Sequence, residues 1–267
     1  MRKLLGLLAT LALATSGIAQ DWARERLEKS PRHGEWVSID TGGGRKLSCY
    51  VVYPEKKEKA PVVLVIHEIF GLSDWAMSLA DQLAEAGVIA IAPDFLSGDG
   101  PNGGRTKDFE NVSQVREAIG KIPPDRIISD LNAAGDYGLK LPASNGKLAV
   151  SGFCWGGTHS FRFAAHRADL KAVYSFYGTT TSDPVLVAKI AAPVFGFYAE
   201  NDARVNATID AAKEAMKAAG KTYEPEIFAG GGHGFMRAGD DPNGSEANKK
   251  ARAAAWERWK KLLANLM

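Results

Sequence analysis

The chain has 267 residues, with 33 Lys and Arg against 31 Asp and Glu and a formal net charge of +2. This near balance argues against nucleic acid or an anionic membrane surface as the main partner. The length is sufficient for one large α/β domain, which buries about 70–75% of the surface of its unfolded chain.

The first 19 residues have the pattern of a signal peptide. Two basic residues precede an apolar run over residues 4–14, and small residues fit the rule for cleavage before Gln20. The run is shorter than the roughly 20 residues that span a bilayer, although a retained membrane anchor is the alternative. We therefore expect residues 1–19 to be removed and residues 20–267 to form a single exported domain, periplasmic or secreted, without stable membrane insertion.

Apolar alternation and turn residues predict strands that alternate with helices along the chain. The predicted strands are 36–40, 46–53, 61–66, 88–92, 147–151, 171–175, 193–198 and 223–228. The predicted helices are 74–86, 111–120, 127–139, 156–167, 206–219 and 246–264, with a charged lead-in at 20–33, a loop at 97–110 and a short segment near 183–190. This order is typical of a mostly parallel sheet with helices on both faces.

The most informative motif is Gly152-Phe-Cys-Trp-Gly-Gly157, which follows a predicted strand and precedes a predicted helix. This layout is typical of the nucleophile elbow of α/β hydrolases. Glycine is needed on either side of the nucleophile because the turn leaves no room for side chains there. Ser is the usual central residue, so Cys154 predicts a hydrolase that attacks with sulfur.

Two further residues complete a candidate triad. Asp202 and His233 each follow a predicted strand, and the carboxyl ends of parallel strands meet at one edge of a sheet. The chain order of nucleophile, acid and histidine is that of α/β hydrolases. His233 would take the proton from the sulfur of Cys154, and Asp202 would orient the imidazole. Glu200 is an alternative for the acid. We expect the following helix and His233 to lower the pKa of the thiol.

The end of the strand 61–66 supplies further candidates. The backbone N–H groups of Ile69 and Trp155 are candidates for the oxyanion hole, which stabilises negative charge on the substrate oxygen. Glu68 is a carboxylate directly after a buried strand, which is costly unless it has a partner or a role. Its alternatives are therefore a place in the site, an ion pair or a surface position.

The remaining Cys and His residues indicate no further site. Cys49 alternates with apolar residues and is predicted to be a buried structural thiol, with a disulfide to Cys154 as the alternative. His159 and His166 are seven residues apart on a predicted helix, which does not fit a metal site. We expect no metal and no cofactor.

Together these motifs resemble the dienelactone hydrolase family. They are His67-Glu-Ile-Phe-Gly71, Pro93-Asp-Phe95, the Cys154 elbow, Asp202 and His233-Gly-Phe-Met-Arg237, and the likeness extends from about residue 34 to residue 264. The resemblance implies an α/β-hydrolase fold and a triad of Cys154, Asp202 and His233. It also implies that Glu68 helps to deprotonate the thiol when substrate arrives, that Arg237 binds a substrate carboxylate and that Phe70 lines the pocket.

The chain departs from the family in one respect. Family members that act on dienelactone carry a second carboxylate-binding arginine just after the Pro-Asp segment, where this chain has Phe95-Leu-Ser-Gly98. Arg105, further along the loop, is the candidate to replace it.

We therefore predict a hydrolase that opens a small ester or lactone through a thioester intermediate, as a monomer or small homo-oligomer. One alternative is a thioesterase or acyltransferase with the same triad. Another is an exported binding protein that keeps the fold without activity.

Overall fold

The computed structural model describes residues 20–267, which form an eight-stranded sheet in the order β1-β2-β4-β3-β5-β6-β7-β8. The predicted signal peptide at 1–19 lies outside the described residues. The strands are β1 (Gly34–Asp40), β2 (Lys46–Val52), β3 (Ala60–Ile66), β4 (Ile89–Pro93), β5 (Ser144–Phe153), β6 (Leu170–Phe176), β7 (Val194–Asn201) and β8 (Tyr223–Gly232).

The sheet is mostly parallel, as the sequence predicts. Strand β1 pairs with β2, and β2 with β4, in antiparallel fashion, whereas all pairs from β4 through β3 to β8 are parallel. All seven residues of β3 are buried, because this central strand is covered on both faces. Its Val- and Ile-rich sequence suits that environment, since β-branched side chains pack well on a pleated surface.

Helices cover both faces of the sheet. They are α1 (Asp21–Glu28), α2 (Asp74–Glu85), α3 (Val112–Gly120), α4 (Pro124–Lys140), α5 (Trp155–Phe163), α6 (Pro184–Lys189), α7 (Ala203–Asn206), α8 (Ile209–Ala218), α9 (Phe235–Ala238) and α10 (Glu246–Ala264). Residues from α3, α4, α5 and α8 join one hydrophobic core, and residues from α1, α2 and α10 join the other. Within residues 20–267, every helix is too short or too polar to cross a membrane.

The predicted elements are present with shifted ends. The charged lead-in contains the helix α1, and α5 ends at Phe163. The helix predicted at 206–219 corresponds to α8, and the separate short helix α7 precedes it. The short helix α9 has no counterpart in the sequence prediction. Its four residues are too few to show helical periodicity, so only the surrounding contacts specify it.

The chain carries polar side chains just beyond the carboxyl ends of adjacent strands. Glu68 follows β3, Cys154 follows β5, Tyr177 follows β6, Asp202 follows β7 and His233 follows β8. Because β3, β5, β6, β7 and β8 are consecutive parallel neighbours in the sheet, these five residues lie along one edge.

Candidate active site

Cys154 occupies a strained turn between β5 and α5. Its backbone has φ 55° and ψ −113°, a conformation that few non-glycine residues adopt. A Cβ atom at Gly152 would lie 2.0 Å from the carbonyl oxygen of Gly156, and one at Gly156 would lie 2.3 Å from that of Ile66. The glycines that the motif predicts are therefore required by backbone packing on both sides of the turn, which projects the Cys154 side chain from the edge of the sheet.

The imidazole of His233 bridges Cys154 and Asp202. Its Nε2 atom is 3.1 Å from the Sγ atom of Cys154, and its Nδ1 atom is 2.5 Å from Oδ2 of Asp202. The Asp202 side chain is buried, and its Oδ1 atom accepts the N–H of Val205 at the start of α7. The carboxylate is thereby held in place, and it in turn orients the ring toward the sulfur.

The carboxylate in contact with His233 is Asp202 and not Glu200, the alternative acid. An Oε atom of Glu200 accepts the N–H of Gly230 at 2.7 Å and so joins the ends of β7 and β8. The Glu200 carboxylate therefore bonds to the backbone of β8 and not to the imidazole.

The pKa of the Cys154 thiol is raised and not lowered as the sequence analysis expects. Burial raises the pKa of the Cys154 thiol to about 11, and the nearby Glu68 carboxylate adds to the rise. The backbone N–H groups of Trp155 and Ile69 hydrogen-bond toward the sulfur and act in the opposite direction. The expected lowering of the pKa is therefore wrong, because loss of hydration and a neighbouring negative charge outweigh the donors.

Glu68 is a buried member of an ion pair. Its Oε2 atom accepts from Nε of Arg237 at 2.6 Å, and its side chain is 3% exposed. The guanidinium of Arg237 also lies 5.0 Å from the centre of the Phe70 ring. Of the alternatives for Glu68, the surface position is excluded, while the ion pair and a place beside Cys154 both hold.

A cavity of about 430 Å³ opens over the thiol. It contains the predicted residues at positions 68, 69, 70, 154, 155, 233 and 237. Its lining also includes residues that sequence reasoning did not identify, namely Arg116, Thr158, Tyr177, Thr179 and Arg204. Tyr177 had one recognisable signal, its place just after a buried strand. The two arginines lie on helices α3 and α7, where the sequence pattern is that of an exposed surface.

Tyr177 packs directly against the histidine. Its ring centre is 5.3 Å from that of His233, with the planes at 67°, and a similar contact joins it to Phe235 of α9. The backbone φ of Tyr177 is 38°, a second strained position at this edge of the sheet. Tyr177 therefore forms part of the wall that holds the imidazole in place.

Arg105 does not line this cavity, so the prediction that it replaces the missing arginine is wrong. Its guanidinium carbon lies 3.4 Å from the centre of the Trp36 ring, beside two other cavities. The backbone N–H of Arg105 donates to Oδ2 of Asp108 within the loop. The stacking on Trp36 of β1 therefore holds the guanidinium outside the cavity over Cys154.

Both Cys residues are free, so the disulfide alternative for Cys49 and Cys154 is wrong. Cys49 lies in β2 opposite Val37 and is fully buried, as predicted. Burial also raises its pKa well above the ordinary value, which makes it an unreactive thiol.

The parallel sheet, the strained elbow and the polar residues along one edge define an α/β hydrolase. The chain belongs to the dienelactone hydrolase family, whose model matches residues 47–267. It is 34% identical over 201 residues to a Methylorubrum extorquens protein named as a candidate carboxymethylenebutenolidase, covering 71% of this chain and 68% of that one. A Yersinia pestis protein with the same name is 32% identical over 206 residues, covering 72% and 75%.

Solved structures agree with the fold. A crystal structure of a candidate dienelactone hydrolase from Klebsiella pneumoniae superposes with a TM-score of 0.74 at 24% identity, covering 87% of this chain and 98% of that one. The predicted α/β-hydrolase fold is confirmed, and the family relationship identifies the chain as a hydrolase.

Proposed function

We propose that the chain hydrolyses a small ester or lactone through covalent attack by Cys154. The observation that carries this proposal is the continuous contact from Cys154 through His233 to Asp202, with distances of 3.1 and 2.5 Å. In the attack, the thiol proton passes to His233 while sulfur bonds to the carbonyl carbon. The carbonyl oxygen becomes an oxyanion that the N–H groups of Ile69 and Trp155 stabilise.

The remaining steps return the enzyme to its starting state. Collapse of the tetrahedral intermediate breaks the carbon–oxygen ester bond, and His233 donates its proton to the leaving oxygen. The thioester that remains is then attacked by water, which His233 deprotonates, and the acid product leaves as the thiol is restored. Asp202 stabilises the imidazolium in both halves of the reaction.

Glu68 and Arg237 link substrate binding to thiol ionisation in this proposal. Glu68 is paired with Arg237, and burial together with the Glu68 charge raises the thiol pKa to about 11. A substrate carboxylate that binds Arg237 competes for that guanidinium and leaves Glu68 a stronger proton acceptor. Glu68 is then the first acceptor of the thiol proton, which passes on to His233 before the leaving oxygen is protonated, so the thiol ionises when a substrate is present to react with it.

We propose that Arg116 and Arg204 complete the recognition of an anionic substrate. Both line the cavity, and Arg204 is near enough to Cys154 to act on its pKa. Within residues 20–267, neither guanidinium is in a salt bridge. The names of the two curated relatives describe a lactone with a carboxymethylene group, which is consistent with a substrate that carries a carboxylate.

The nucleophile is tested by comparing the wild type with Cys154→Ala on p-nitrophenyl acetate and on small lactones. We expect the substitution to lower kcat by at least about a thousandfold, and we expect mass spectrometry to detect an acyl group on Cys154 in the wild type. Cys49→Ala is the matched control and should keep wild-type turnover. Equal rates for Cys154→Ala and the wild type would refute catalysis by Cys154 and favour the alternative of a binding protein without activity. Preferential transfer to an added acceptor would favour an acyltransferase.

The substrate charge is tested with paired esters that differ only in a carboxylate. Wild-type kcat/KM should be higher for the charged ester, and Arg116→Gln or Arg204→Gln should each reduce that preference by about tenfold while the neutral ester is unaffected. Arg162→Gln, which removes an arginine that borders a different cavity, is the control. If both variants keep the wild-type preference for the charged ester, the proposal that Arg116 and Arg204 bind the substrate carboxylate is refuted.

Export of the chain also stays a proposal. It is tested by fractionating cells that express the full chain and by sequencing the N-terminus of the product. We expect a product that begins near Gln20 and lies outside the cytoplasm. A product that still begins with Met1 and stays in the cytoplasmic fraction would contradict export.

A further inference from the structure

His67 is a fully buried polar residue without a part in the reaction described above. It directly follows β3, its side chain has no solvent exposure, and its Nδ1 atom is 2.7 Å from the carbonyl oxygen of Glu68. A carbonyl oxygen only accepts hydrogen bonds, so Nδ1 carries the proton in this contact. Within the described residues, Nε2 is buried without a hydrogen-bond partner.

The carbonyl that His67 contacts belongs to the same peptide group as the N–H of Ile69. That peptide group is planar and trans, so its C=O and its N–H point in opposite directions. The Glu68 oxygen accepts hydrogen bonds from His67 and, at 3.2 Å, from the N–H of Gly71. These two bonds restrict rotation of the Glu68–Ile69 peptide group. The restriction holds the Ile69 N–H toward the sulfur, and a bond accepted at the oxygen also polarises that N–H.

The ring of His67 also touches the residue that supplies the second donor. It stacks on the ring of Trp155 with centres 5.5 Å apart and planes at 16°. The ring of Phe95 packs edge-on against both, at 5.3 and 5.5 Å. Burial lowers the pKa of His67 to about 4, so the ring is neutral at ordinary pH and keeps a single proton for the carbonyl.

We propose that His67 is a positioning residue for the oxyanion hole, which orients the Ile69 N–H through the Glu68 carbonyl and supports Trp155 through ring contact. The inference rests on the proposed function, because it assumes that these two N–H groups stabilise an oxyanion. It assigns to His67 an effect on the transition state without contact with the substrate.

The test compares His67→Asn with His67→Leu. The two side chains are nearly equal in shape and both lack the ring, but Asn keeps a donor close to the position of Nδ1. We expect kcat of His67→Leu to be about 10- to 100-fold lower than kcat of His67→Asn. This loss is smaller than the loss caused by complete removal of one oxyanion donor, because the Ile69 N–H is still present but less well oriented. KM should agree within about threefold. The inhibition constant of a trifluoromethyl ketone, which forms a tetrahedral oxyanion with the thiol, should rise in parallel with the loss of kcat.

A merely structural role predicts a different result. It would lower the melting temperature of both variants without separating their kcat values or their inhibition constants. Equal kcat values for folded His67→Asn and His67→Leu would overturn the inference. If the loss of the ring prevents folding, His67→Phe keeps an aromatic ring and removes the donor. It should then lose kcat like His67→Leu, and wild-type kcat in folded His67→Phe would also overturn the inference.

His159→Phe is the matched control. His159 contacts the Trp155 ring with centres 4.4 Å apart, and phenylalanine keeps an aromatic ring at that position. We expect its kcat to equal that of the wild type. Failure of this inference is distinguishable from failure of the proposed function, because the latter appears as activity retained in Cys154→Ala.

Discussion

The substitution Glu68→Gln should make Cys154 more reactive toward a simple alkylating agent while it makes the enzyme less active. The thiol has a pKa of about 11, raised first by burial and then by the Glu68 carboxylate. At pH 7 a pKa of 11 leaves about one thiol in ten thousand ionised, whereas a free cysteine is about 3% ionised. Wild-type Cys154 should therefore react with iodoacetamide about 300-fold more slowly than free cysteine.

Glu68→Gln removes one of the two causes of the raised pKa. Glutamine has nearly the same shape as glutamate but carries no charge, and the guanidinium of Arg237 then lies in the site without its carboxylate. Both changes favour the thiolate of Cys154. A fall of one pKa unit, about 1.4 kcal/mol, would raise the alkylation rate at pH 7 by about tenfold. Ester hydrolysis should fall by about tenfold or more, because the group proposed to help ionise the thiol is lost.

The assay follows alkylation of Cys154 by peptide mass spectrometry from pH 6 to pH 10. Cys49 is an internal control, since it is fully buried and should stay unmodified. Glu214→Gln, on the exposed face of α8, removes a carboxylate outside the cavity and should label like the wild type. The reasoning is refuted if wild-type Cys154 reacts as fast as free cysteine at pH 7, or if Glu68→Gln leaves its labelling profile unchanged.

Three further predictions concern the proposed triad, two histidines with lowered pKa values and two glycines. Asp202→Asn should lower kcat by about 10³- to 10⁴-fold with KM within about threefold, measured on p-nitrophenyl acetate; a kcat near that of the wild type would contradict the role. Burial lowers the pKa of His67 and His159 from 6.5 to about 4. The unfolded chain binds more protons in that window, so the free energy of unfolding should fall by about 1.6 kcal/mol per histidine from pH 6.5 to 5. Urea denaturation tests this, and a curve that is flat in this range would oppose it. Gly178→Ala places a Cβ atom 2.2 Å from the backbone of α5 and should cost about 3 kcal/mol of stability or more. Gly120→Ala, with open space around it, should be nearly neutral, and equal urea midpoints for the two variants would contradict the packing argument.

The candidate site divides into residues that are readable from the sequence and residues that are not. Cys154, Asp202 and His233 could be predicted to meet because each follows its own strand, and parallel strands end at one edge. The roles of these residues stay predictions, although their distances permit the chemistry. Arg116 and Arg204 gave no such signal, since an arginine on a short helix has the same local pattern whether it faces solvent or a cavity.

The sequence by itself determined the strands and the longer helices, the order of the strands in the chain and the need for glycine around Cys154, because these depend on periodicity and on local steric limits. Only the tertiary structure decided that Glu68 pairs with Arg237, that Arg105 lies over Trp36 and that the thiol pKa is raised. Hydration and charge at a side chain depend on every element packed around it, and residues far apart in the chain supply those neighbours.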